Sequence, residues 1–129
     1  MGSEVAGQDG CKQRAGVLLL VDDEPIVLRA TARLLALHGY EVHVAASEAE
    51  AISRAKGLDS PVDLVLVDLW MIPGTGADLA KRMADEGLAS RFIFITASAG
   101  DHSQLPGPVL MKPFSGDELV GVIAELLAR

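Results

Sequence analysis

Cysteine is almost absent: Cys11 is the only one in 129 residues. That excludes an intrachain disulfide or a thiolate metal cluster and makes a reducing compartment the simpler expectation. No apolar run approaches the roughly 20 residues that span a bilayer, so no membrane role is expected. The first residues carry Gly2, Gly7 and Gly10 and lack the apolar stretch of a secretory signal. Residues 1–15 therefore read as a flexible tail, residues 16–129 as a single domain, and the expected location is cytoplasmic. Basic charge is scarce as well: 11 Lys and Arg stand against 18 Asp and Glu, a net charge of −7. Direct nucleic-acid binding needs Lys and Arg to displace phosphate counterions, and is not expected here. Internal repeats and low-complexity segments are missing too.

What is present is a set of short aliphatic runs that end in polar residues. Val62-Asp63-Leu64-Val65-Leu66-Val67-Asp68 reads as a strand buried on both faces, with a carboxylate at its C-terminal mouth. Gly16-Val17-Leu18-Leu19-Leu20-Val21 repeats the pattern and ends in Asp22-Asp23-Glu24. Pro25 then opens a helix whose apolar stripe is read as Val27, Ala30, Leu34 and Leu37, closed by Gly39. Glu41-Val42-His43-Val44-Ala45 alternates as an edge strand does. Ser47 with Glu50 signals a capping box before a helix packed through Ala51, Ile52 and Ala55.

A helix near 77–86, packed through Leu79, Ala80 and Met83, follows the turn Ile72-Pro73-Gly74-Thr75-Gly76. Arg91–Thr96 and Val109–Lys112 are the remaining strands. Ser115 and Glu118 form a second capping box ahead of Leu119, Val122, Ile123, Leu126 and Leu127. Strands alternating with helices predict a doubly wound α/β fold with a five-stranded parallel sheet. Between Thr96 and Val109 the Gly- and Pro-containing segment leaves room for only a short or disordered helix.

A parallel sheet brings the C-terminal ends of its strands to one edge, which would gather Asp22, Asp23, Asp68, Thr96 and Lys112 in one crevice. Clustered carboxylates repel unless a cation joins them, and oxygen ligands with room for water suit Mg²⁺. One carboxylate can then attack phosphorus as a nucleophile, with Lys112 and the Thr96 hydroxyl meeting the charge on the transferring group. Asp68 is the natural acceptor because it stands alone at the end of a central strand. Asp22 and Asp23 are left to hold the metal.

These residues resemble the receiver domain of two-component response regulators. The resemblance rests on the Asp22-Asp23 pair, Asp68, Thr96-Ala97 and Lys112-Pro113-Phe114, and covers about Gly16 to Arg129. It implies a flavodoxin-like fold and a signalling switch in which Asp68 accepts a phosphoryl group from a histidine kinase or phosphotransfer protein. It further implies Mg²⁺ held by Asp23, Asp68 and the Trp70 carbonyl, a cis peptide before Pro113, and an unidentified downstream protein target. No enzymatic activity is implied beyond the domain's own phosphorylation and dephosphorylation.

Two positions depart from the family's pattern. Ile72 and Pro73 stand where Pro is usual one residue earlier, and Val109 replaces an aromatic that commonly couples to the Thr hydroxyl. These departures, with the short fourth helix, motivate an alternative, a receiver-like interaction module that works without phosphorylation. A haloacid-dehalogenase-type phosphatase is weaker, since that chemistry wants an acid where Trp70 stands. Trp70 itself is read as a bulky group at the edge of the site that restricts water attack on a phosphoryl bond.

Overall fold

The central aliphatic run forms the middle strand of a five-stranded parallel sheet. In the computed structural model, which describes residues 16–70, 75–97, 102 and 104–128, the strands are β1 (Val17–Val21), β2 (Glu41–Ala45), β3 (Leu64–Asp68), β4 (Phe92–Thr96) and β5 (Val109–Met111), in the order β2-β1-β3-β4-β5. The helices among the described residues are α1 (Pro25–Leu37), α2 (Glu48–Lys56), α3 (Gly76–Asp85) and α4 (Gly116–Leu127).

Side chains alternate across each strand, so the sheet feeds two cores. Leu19, Val21, Val65, Val67, Phe92 and Phe94 pack with Ala51, Ile52 and Ala55 of α2 and with Leu79, Ala80 and Met83 of α3. Leu18, Leu20, Leu64, Leu66, Ile93 and Ile95 pack on the other face with Leu28 and Leu35 of α1 and Leu119 and Ile123 of α4. Being covered on both faces is what lets β1, β3 and β4 read as continuous apolar sequence.

Several local expectations shift. The α1 stripe is rotated: Leu28 and Leu35 are its buried residues, whereas Leu37 is 80% exposed and Ala30 also faces solvent. Apolar residues lie on most sides of this helix, so its sequence admits more than one buried face, and packing against the sheet selects among them. Ser47 caps α2 by accepting from the Glu50 N–H, but the Glu50 carboxylate reaches back to the N–H of Ala46 rather than Ser47. The reciprocal box forms only at Ser115 and Glu118. Val62 lies just before β3, in an isolated bridge with Ala89, and Lys112 lies just beyond β5. His43 is half-buried on the edge strand, with its Nε2 2.7 Å from Glu41 Oε2.

The tail, the displaced proline at Pro73 and five of the twelve residues between Thr96 and Val109, where a shortened helix is expected, lie outside the described residues. Among the residues described between β4 and β5, none is helical.

Candidate functional site

The order β2-β1-β3 means the chain leaves β1 towards one side and β3 towards the other, opening a crevice at their C-terminal ends. Asp22 follows β1 directly, and its N–H donates to the Ala45 carbonyl at 3.2 Å, holding it at the end of the β1–β2 ladder. Its side chain is buried, with Oδ1 accepting from the Glu24 N–H at 3.0 Å, while Asp23 is exposed at the mouth. Asp68 closes β3 opposite Ile95, half-buried, with Oδ1 accepting from the Trp70 N–H at 3.0 Å.

The carboxylates of Asp22, Asp23 and Asp68 each offer an oxygen within 4.8 Å of the others. Thr96 ends β4 in full burial, and its carbonyl accepts from the Lys112 N–H at 2.8 Å. That bond holds Lys112 beside the crevice as the chain leaves β5, and the Lys112–Pro113 peptide is cis. From there Lys112 Nζ reaches to 3.8 Å from both Asp22 Oδ2 and Asp68 Oδ2. Every predicted side chain is thus at one sheet edge.

The electrostatics are unbalanced without a further cation. Three carboxylates face one ammonium, and burial raises the Asp22 carboxyl above its ordinary value, with the Asp68 charge adding to the rise. The Glu24 amide and the Lys112 ammonium pull the other way without reversing it. Oxygen donors alone, close together and partly open to water, fit a hard divalent ion.

The sign of the Asp22 shift yields a stability prediction. A carboxyl whose folded-state value lies above its unfolded one contributes stability below the unfolded value of 3.8, and that contribution is lost as pH rises through the folded value. At neutral pH the Asp22 charge therefore opposes folding. Asp22→Asn should melt higher than wild type at pH 7 in chelator, with the gain fading towards pH 3 and the response to Mg²⁺ weakened. An unchanged or lower melting temperature at pH 7 in chelator would contradict this origin of the shift.

Trp70 is 58% exposed, which sets it at the rim of the crevice and not in either core. Two features have no readable signal in the sequence. Gly76 opens α3 against the Asp68 and Leu69 backbone. A small cavity beneath Asp22 and Lys112 is walled partly by Val27, Leu28 and Thr31 of α1, which read in sequence as ordinary helix residues.

Comparison with known proteins bears on this arrangement. Residues 18–124 match the response regulator receiver domain family. The response regulator SaeR of Staphylococcus epidermidis is 34% identical over 118 residues, covering 87% of this chain and 50% of SaeR; its Staphylococcus aureus counterpart matches equally. The chain spans about half the length of the curated relatives it matches. Among solved structures, the receiver domain of the hybrid histidine kinase CckA superposes with a TM-score of 0.75 at 31% identity, covering 87% of this chain and 99% of that one. A CheY-like receiver domain protein from Methanospirillum hungatei gives 0.77 at 26%, covering 88% and 94%.

Proposed function

The chain belongs to the response regulator receiver domain family, and we propose that Asp68 is its phosphoryl acceptor, charged by a histidine kinase or phosphotransfer protein. The single observation that carries this is Lys112 Nζ held at 3.8 Å from Asp68 Oδ2 and from Asp22 Oδ2, with the carboxylate of Asp23 alongside. Asp68 Oδ1 is engaged by the Trp70 amide, which turns Oδ2 towards Lys112 as the attacking oxygen. In the transfer, Oδ2 forms a bond to phosphorus while the bond from phosphorus to the donor imidazole nitrogen breaks. The nitrogen keeps the electron pair and takes up a proton.

Lys112 then neutralises part of the phosphoryl charge of roughly −1.5 to −2, and the Thr96 hydroxyl donates to one of its oxygens. Asp22, Asp23, Asp68 and the Trp70 carbonyl are the groups that would hold Mg²⁺, which when bound supplies positive charge for the oxygens of the transferring group. The product is a covalent change at one sheet edge that a protein target reads, which makes the chain a switch and not a turnover enzyme. Incubation with a small phosphodonor such as acetyl phosphate should add one phosphoryl group per chain in the presence of Mg²⁺ and none in chelator. Modification that persists in chelator would remove the metal from this reading.

Trp70 sets the persistence of that state. Its exposed indole stands two residues beyond the acceptor, where it can shield the acyl phosphate from water. We expect Trp70→Asn to shorten the phosphoryl lifetime by about tenfold, the equivalent of ~1.4 kcal/mol in barrier, measured by loss of the phosphorylated mass after donor removal. An unchanged lifetime would assign Trp70 no role in protection.

The alternative, an interaction module that does not switch, draws on one observation: Val109 opens β5 half-buried against the α2–α3 core, with no aromatic at that position to follow Thr96. A wild-type chain that takes up neither Mg²⁺ nor phosphoryl would favour it.

A further inference from the structure

On the α1 and α4 side of the sheet, directly below the acidic crevice, Leu20, Leu66 and Phe114 line a cavity of about 20 Å³ together with Asp22, Lys112 and Thr31. One water needs about 10–15 Å³ and two or more polar partners. Three polar side chains, those of Asp22, Lys112 and Thr31, border this otherwise apolar space, and beyond the Lys112–Asp22 ion pair no direct hydrogen bond joins them. The Thr31 hydroxyl, half-buried on α1, has no hydrogen-bond partner among the described residues. Lys112 Nζ stands 3.8 Å from Asp22 Oδ2, beyond direct hydrogen-bond reach. A polar contact of that length, in a space that Thr31 also lines, is a setting in which one water can bridge the groups.

We propose that this cavity holds one structural water, which accepts from the Lys112 ammonium and bridges it to the Thr31 hydroxyl and the Asp22 carboxylate. Thr31 is thereby a positioning residue for Lys112. The inference rests on the role given to Lys112 above, and it adds a residue that touches neither the phosphoryl group nor the metal. Its physical content is that a lysine has three donors on a flexible stem. Asp22 and Asp68 attract the ammonium from above, while a water anchored on α1 restrains it from below, so that Lys112 waits in position before the phosphoryl group arrives.

The test uses Thr31→Val, which keeps the shape and removes the hydroxyl, and Thr31→Ser, which keeps the hydroxyl. In wild type, water-to-protein cross-relaxation should reach the Thr31 methyl, and the Lys112 ammonium protons should be protected enough from exchange to be seen by ¹⁵N-resolved spectroscopy. Thr31→Val should lose that protection and slow phosphorylation by acetyl phosphate about three- to tenfold, and Thr31→Ser should restore both. A Thr31→Val variant with wild-type rate and wild-type Lys112 protection overturns the proposal, as does a Thr31→Ser variant that behaves like Thr31→Val. The cross-relaxation and ammonium measurements require no phosphorylation, so failure of the acceptor assignment at Asp68 and failure of the water bridge are read separately.

Discussion

Replacing Asp68 with Asn should abolish phosphorylation by acetyl phosphate in Mg²⁺ while leaving the sheet intact. The amide preserves the shape and the bond from the Trp70 N–H, because the Asn oxygen can still accept it. What disappears is the negative charge facing Lys112 and the lone pair that attacks phosphorus. An amide oxygen is too weak a nucleophile to replace a carboxylate, and among the described residues no other carboxylate has the same surroundings. Asp22 is buried with its value raised, and Asp23 is exposed at the mouth. The measurement is the intact mass after incubation, with far-ultraviolet circular dichroism as the check on folding. An equal mass gain on Asp68→Asn would transfer the acceptor role to another residue. A gain on the variant seen only after long incubation would point to Asp23, exposed beside Asp68, which Asp23→Asn in the same background would reveal.

The second large effect is structural and lies at Gly76. A Cβ added there would meet the Asp68 carbonyl oxygen at 2.7 Å, the Leu69 Cα at 3.0 Å and a Val67 methyl at 3.1 Å. Two of those three are backbone atoms at the strand end that carries Asp68. The Gly76 N–H also donates to the Leu69 carbonyl at 2.8 Å, so the first turn of α3 cannot back away without losing that bond. Gly76→Ala should therefore cost about 2–4 kcal/mol of stability, read from urea denaturation.

The same substitution should slow phosphorylation in whatever fraction remains folded, because relief of the clash displaces the Asp68 backbone relative to Lys112. A loss of stability with a normal rate would mean that α3 moves and Asp68 does not. Normal stability would mean that the close approach relaxes freely. Thr75, which caps α3 by accepting from the Asp78 N–H, offers a contrast: Thr75→Ala should cost only about 1 kcal/mol.

The candidate site was legible in the sequence because its residues follow strands buried on both faces. In such strands any polar residue is conspicuous, and a parallel sheet puts all such ends on one edge. Asp22, Asp68 and Thr96 were found in this way, and Lys112 through its place one residue beyond a short apolar run. Helix starts were legible where a single side chain does the capping, as at Ser115 with Glu118. Legibility fell where several answers had similar local merit. The α1 sequence carries apolar residues on most sides, and only contact with Leu20, Leu64 and Leu66 made Leu28 and Leu35 the inner face and left Ile26 and Leu37 outside.

By itself, then, the sequence determined the alternation of strands and helices, the two-faced burial of β1, β3 and β4, and the chemical identity of the groups at the strand ends. Each of these is a property of local pattern and residue type. The tertiary structure alone decided the strand order that sets β1 beside β3, the 3.8 Å reach of Lys112 to two carboxylates, the burial that raises Asp22, and the approach of Gly76 to the acceptor strand. It also decided which face of α1 supplies Thr31 to the cavity below the site. These depend on distances between segments far apart in the chain, and such distances are set by how whole helices and sheets pack against one another, not by any residue's neighbours in sequence.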